Sequence, residues 1–79
     1  MKVQVTIRRR AQISDPQGTA VRKGLRDLGY DVSEVRIDRN VILEVGGTDE
    51  LTVHSAVTEM CERLLANPVM EDYDIELLP

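Results

Sequence analysis

Apolar and polar side chains alternate at the start of the chain, then fall into a helical period, and the same switch recurs in the second half. Val3, Val5 and Ile7 alternate with Gln4, Thr6 and Arg8, the period-two pattern of a half-buried strand. Asp15 then offers a helix N-cap, and Pro16 takes the first helical position, where its missing N–H has no partner to lose. Val21, Leu25 and Leu28 recur at spacings of four and three along one face of that helix, and Gly29 closes it. Val35 and Ile37 alternate with polar residues, as do Val41, Leu43 and Val45, and Asp38-Arg39-Asn40 between them predicts a tight hairpin turn. Gly46-Gly47 breaks the strand, Thr48 or Asp49 caps a second helix, and Glu50 suits its first turn. The buried stripe of this helix is Val53, Val57, Met60 and Leu64. Asn67-Pro68 ends it, because Asn tolerates the left-handed cap conformation and Pro lacks the N–H that another turn needs. Tyr73, Ile75 and Leu77, alternating with Asp74 and Glu76, make the last strand.

The order strand–helix–strand–strand–helix–strand predicts a single domain over residues 1–79 with α+β architecture. Right-handed crossovers place both helices on one face of a four-stranded antiparallel sheet, a ferredoxin-like βαββαβ sandwich. Charge fits that arrangement. The net charge of −4 divides into nine Lys and Arg against five Asp and Glu over residues 1–40, and one against nine over residues 41–79. Arg22, Lys23 and Arg26 on the first helix would face Glu59 and Glu62 on the second, so the two halves neutralise each other by packing. An acidic total argues against a nucleic-acid partner, whose phosphates most of this surface would repel.

Length and composition add a constraint. A chain of 79 residues buries only roughly 60–65% of its unfolded surface. With no Trp, no Phe and two Tyr, aliphatic side chains must supply the burial. One cysteine excludes an internal disulfide, and His and Cys are too few for a structural metal. Self-association is the remaining common way to stabilise so small a core, so a homodimer or homotetramer is expected. No apolar run approaches the ~20 residues of a membrane span, and the start of the chain lacks the apolar segment of a signal peptide. With a lone thiol, these features place the protein in the cytoplasm as an expectation.

Candidate chemistry is sparse. Cys61 and His54 are seven residues apart on one helix, about 10.5 Å along its axis, whereas a nucleophile and its base need to be within ~3 Å. Arg8-Arg9-Arg10 precedes the loop Ala11–Asp15, which has no glycine and ends in a carboxylate that competes with an anion for the helix dipole. An acylphosphatase-like hydrolase using Arg8 or Arg10 with Asn40 would need a glycine-rich loop there. A small-molecule sensor of the ACT type would need a ligand groove between paired domains. No catalytic, cofactor-binding or metal-binding residue is therefore assigned. Alternation turns Arg8, Arg36, Glu44, Asp74 and Glu76 outward together with two apolar exceptions, Ile42 and Leu78. Arg8, Ile42 and Leu78 are the candidate partner interface, apolar anchors with a charged rim.

Two stretches carry a likeness to a known family. The run Met60-Cys61-Glu62-Arg63-Leu64-Leu65-Ala66-Asn67-Pro68-Val69-Met70-Glu71-Asp72-Tyr73 joins a helix end, an Asn-Pro stop and an acidic-Tyr strand start. Asp15-Pro16-Gln17-Gly18, with Leu28-Gly29-Tyr30 closing the first helix, is the second. Together they resemble PurS, the small subunit of bacterial and archaeal phosphoribosylformylglycinamidine (FGAM) synthase, over about Val3 to Leu77. The resemblance implies a non-catalytic accessory subunit of an ATP- and glutamine-dependent ligase of purine biosynthesis. Its partners would be a synthetase subunit (PurL), which handles ATP and substrate, and a glutaminase subunit (PurQ), which makes ammonia. A PurS oligomer would bridge them and support ammonia transfer. ATP, Mg2+ and glutamine would belong to the complex and no cofactor to this subunit. Cys61 is not thereby the ammonia-releasing thiol, which belongs to the glutaminase.

Overall fold

The alternating N-terminal residues form β1 (Lys2–Arg9), and β1 is the middle strand of the sheet. A computed structural model, which describes all of residues 1–79, then runs through α1 (Pro16–Asp27), β2 (Arg39–Glu44), α2 (Glu50–Met60), a π-helical turn (Cys61–Leu65) and β3 (Glu71–Leu78). The sheet order is β2-β1-β3, antiparallel throughout, with Val5 opposite Val41 on one side and Ile75 on the other. Val3, Val5 and Ile7 are 0–1% exposed because a central strand is flanked on both sides and roofed by α2. Val53, Val57, Cys61 and Ala66 meet them from above, and Val41, Leu43, Tyr73, Ile75 and Leu77 close the margins.

The sheet has three strands, where four were expected from the sequence. The Val35–Ile37 segment belongs to no strand, and Asp38-Arg39-Asn40 is not a turn: Arg39 and Asn40 already belong to β2. A two-residue hairpin needs positive φ at its centre. None of these three is a glycine, and no non-glycine residue in the chain has positive φ. The segment instead runs straight into β2 and is held from the side. Asp15 Oδ2 accepts from the Ile37 N–H at 2.9 Å, and Gly18 lies so close that a Cβ there would be 2.3 Å from the Val35 carbonyl oxygen.

The helices also do not share one face of the sheet. α2 packs on the core, while α1 buries only Gly18 and contributes nothing to the core cluster. Val21 and Leu28, expected to be buried, are 42% and 75% exposed. The chain is accordingly elongated, 50 × 27 × 14 Å. Side-by-side neutralisation of Arg22, Lys23 and Arg26 by α2 is therefore absent within one chain. Lys23 pairs with Asp27 on its own helix at 3.0 Å, and Arg63 with Glu59 at 2.9 Å.

The helix ends follow their local chemistry, with one exception. Asp15 caps α1 through the Gly18 N–H at 3.2 Å, and Asp49, rather than Thr48, caps α2 through the Thr52 N–H at 3.2 Å. Gly29, at φ 99°, closes α1 with paired bonds from its own N–H to Arg26 O and from the Tyr30 N–H to Leu25 O. Asn67, by contrast, does not adopt the left-handed cap expected of it. α2 widens into the π-helical turn, the Ala66 N–H bonds Cys61 O at 3.0 Å, and the chain leaves extended at Ala66. Asn67 Oδ1 then accepts the Val69 N–H at 3.0 Å and Asn67 O accepts the Glu71 N–H at 2.7 Å. The Asn side chain makes the turn itself, so no cap glycine is needed.

Candidate functional site

The outer face of the sheet carries cross-strand rows of polar residues. Asn40, Thr6 and Asp74 lie in one row, Ile42, Gln4 and Glu76 in the next, and Glu44, Lys2 and Leu78 in the last. Thr6 Oγ1 donates to Asn40 Oδ1 at 2.9 Å. Arg8, beyond the first row, reaches diagonally to Asp74 in an ion pair. Arg10 follows it with Nη1 3.4 Å from Asp72 Oδ1 and Nη2 bonded to the Pro68 carbonyl at 2.8 Å. Ile42 stands 54% exposed on the edge strand β2, beside Gln4 of the central strand, and Leu78 is half-buried on the other edge strand. Arg8, Ile42 and Leu78 thus share a face without forming a patch, since six residues of β1 separate Arg8 from the row of Leu78, about 20 Å. Arg36, expected on the same face, is not in the sheet; its guanidinium bonds the Arg9 carbonyl instead.

The opposite end of the inner face holds a polar cleft of about 430 Å³. It lies where α1 stands off the sheet, between Arg9, Asp15, Arg39 and Glu71. Glu71 points inward, because alternation along β3 puts it with Tyr73 and Ile75. Arg39 Nη2 lies 2.9 Å from both Glu71 oxygens, and Glu71 Oε1 also accepts the Asn67 N–H at 2.8 Å. That N–H, with the guanidinium, holds the Glu71 carboxyl below the usual glutamate range. The register of β3 was the available signal for this pair, and the misassigned turn at Asp38–Asn40 hid its partner.

A third surface is apolar. Leu43, Ala56, Met60, Leu64 and Leu65 line an open groove of about 550 Å³ beside α2, with Glu59 and Arg63 on its rim. Leu64, expected in the buried stripe, is 84% exposed there. Cys61, four residues after Val57 and still α-helical, continues the buried stripe of Val53 and Val57, and the widened turn that follows it carries Leu64 on the outside.

The remaining reactive side chains are held apart. Cys61 is fully buried, and burial, reinforced by Glu62, pushes its thiol up. His54 is exposed on α2. Tyr73 Oη donates to Glu62 Oε1 at 3.1 Å, tying β3 to the π turn. Arg8 and Asn40, the pair a hydrolase would need, are committed to β3 and to β1, respectively. No group of three or more His, Cys, Asp or Glu converges in a metal-binding arrangement, and no helix is long and apolar enough to cross a membrane.

Against known proteins, the PurS family model, described as phosphoribosylformylglycinamidine (FGAM) synthase, matches residues 2–79. The chain belongs to the PurS family. The PurS subunit of FGAM synthase from Synechocystis sp. is 44% identical over 77 residues, 96% of this chain and 75% of that one. A solved Bacillus subtilis PurS superposes with a TM-score of 0.84 at 43% identity, over 95% of this chain and 94% of that one. A PurS-like chain in a structure of PurLQS from Thermotoga maritima superposes at 0.87 with 31% identity, covering 98% and 95%. The PurS likeness thus spans the three-stranded sheet, α2 and the projecting α1 together. It makes the chain a subunit of FGAM synthase, a ligase of purine biosynthesis.

Proposed function

We propose that this chain is a scaffold subunit of FGAM synthase, without catalytic residues of its own, that works as a homodimer or homotetramer and joins a PurL synthetase to a PurQ glutaminase. The observation that carries the reading is the match, over nearly its whole length, to a chain solved within PurLQS. The geometry favours a structural role as well. Arg8, Arg10 and Arg39 are each paired with a carboxylate on β3, the thiol is in the core, and the imidazole is on the far side of α2. ATP, Mg2+ and glutamine would then be handled by the other two subunits, in the cytoplasm, and this subunit would support the passage of ammonia between them. The outer sheet face, with Ile42 on its β2 edge and Arg8 and Leu78 toward its two ends, is the surface we assign to docking on the synthetase.

Reconstitution with PurL and PurQ proteins tests this. Omitting the chain should abolish glutamine-dependent synthesis of FGAM while leaving ammonia-dependent synthesis by PurL in place. Cys61→Ala should leave the glutamine-dependent rate within a few-fold once folded protein is matched. A loss of a hundredfold or more, the usual scale for a catalytic group, would put the thiol in the mechanism and overturn the scaffold reading.

A further inference from the structure

The inner face of β1 ends in a charge that the fold does not use. Alternation puts Arg9 on the same side as Val3, Val5 and Ile7, so it lines the polar cleft of about 430 Å³ beside the start of α1. The arginines around it are all committed. Arg8 pairs with Asp74, Arg10 with Asp72 and the Pro68 carbonyl, Arg36 with the Arg9 carbonyl, and Arg39 with Glu71. The Arg9 side chain has neither an ion pair nor a hydrogen bond, although Glu71 lies opposite it in the β1–β3 register.

The two carboxylates of the cleft explain why. Asp15 accepts the Gly18 N–H on Oδ1 and the Ile37 N–H on Oδ2. Glu71 accepts the Asn67 N–H and Arg39 Nη2 on Oε1, and the same Nη2 on Oε2. The Ile37 and Asn67 N–H groups are the main reason that these carboxyls titrate below their usual range, and the charge of Arg9 adds to both effects. Both acids are therefore ionised and already engaged by donors of the fold itself. What the cleft has left over is donors: the whole fork of Arg9, and the Nη1 and Nε edge of Arg39, which reaches Glu71 through Nη2 alone.

Charge and shape then select the ligand. Arg9, Arg36 and Arg39 against Asp15 and Glu71 leave one positive charge, which a monoanion cancels. A phosphate dianion would set surplus negative charge beside two ionised carboxylates. A guanidinium fork also matches the two coplanar oxygens of a carboxylate. Ile37, 38% exposed on the wall of the cleft, offers an apolar surface to the rest of the molecule. We propose that this cleft binds a small-molecule carboxylate, its oxygens held by Arg9 and the free edge of Arg39 and its apolar part lying on Ile37. The site is at the base of α1 on the inner side of the sheet, apart from the outer face assigned to docking, and it uses residues of this chain alone.

Titration of the full chain with sodium acetate and sodium butyrate at constant ionic strength, followed by amide NMR, tests this. Resonances around Arg9 and Ile37 should shift saturably, with a dissociation constant of about 10 mM or tighter for acetate. Butyrate should bind several-fold more tightly, because its tail reaches Ile37. Arg9→Gln removes no hydrogen bond or ion pair of the fold, so it should melt within a few degrees of the parent yet bind butyrate at least tenfold more weakly. Arg9→Lys, which keeps the charge but loses the fork, should bind it several-fold more weakly. Inorganic phosphate that moves the same resonances with higher affinity than acetate would overturn the carboxylate assignment. Shifts that do not saturate with either carboxylate, or Arg9 variants that bind like the parent, would overturn the site itself.

Discussion

Asp15 shows how much one side chain organises here. Its carboxylate caps α1 through Gly18 and fixes the unpaired segment through Ile37. Both bonds hold the carboxyl below the usual aspartate range, as the Thr52 hydroxyl and N–H do for Asp49 and the Asn67 N–H does for Glu71. A depressed carboxyl adds stability that is fully present above its unfolded value, near pH 4, and is lost as pH falls through the lower folded value. The melting temperature should therefore be flat from neutrality to about pH 5 and fall below about pH 4. Asp15→Asn with Glu71→Gln should lower the neutral plateau and flatten that acid slope, and an unchanged slope would show that other groups carry it. Gly18→Ala should destabilise by about 1–3 kcal/mol in urea melts, because the new methyl meets the Val35 carbonyl. Cys61, buried with a raised thiol pKa, should resist iodoacetamide in the native chain and react fully once unfolded.

At the scale of elements, stability is concentrated in β1 and α2. Ile7, 1% exposed in the central strand, should lose about 2–5 kcal/mol on Ile7→Ala. Val69→Ala, on an exposed loop position, should stay within about 0.5 kcal/mol of the parent. β3 is as necessary as β1, since it pairs along the whole length of that strand. Truncation before Tyr73 should leave β1 unpaired on one side and give insoluble protein, and a soluble folded fragment would refute that account. The π turn belongs to this scale too. It begins at Cys61, the last residue of the buried Val53–Val57 stripe, and carries Leu64 on the outside, so the same five residues close one surface and open another.

At the scale of the molecule, the outer sheet face proposed above for docking on the synthetase can be tested directly. Ile42→Asp should leave the oligomer intact while weakening retention by PurL protein about tenfold in pull-downs. Arg8→Glu should make that retention more salt-sensitive, because it replaces the Arg8–Asp74 pair with two like charges on an exposed face. Variants that dock and support catalysis like the parent would leave this face simply solvated and move the contacts to the loops.

The strands β1, β2 and β3, both helices, the Asp15 N-cap and the Gly29 stop were legible from the sequence alone, and the second N-cap to within Thr48 or Asp49, because each depends on neighbours within a few residues: alternation, a capping carboxylate, a glycine at positive φ. The PurS likeness was legible for the same reason, resting on contiguous motifs at Asp15–Gly18 and Met60–Tyr73. What the sequence could not decide is where amphipathic segments find their partners. Val35 and Ile37 alternate like a strand, yet their segment is held by Asp15 and Gly18 and has no ladder beside it. Val21, Leu25 and Leu28 form an apolar stripe, but a stripe records only that burial is needed. Whether it lies on its own sheet or on another copy depends on contacts far apart in the chain. Only the tertiary structure, by pinning the base of α1 away from the core, decided that this stripe stands uncovered.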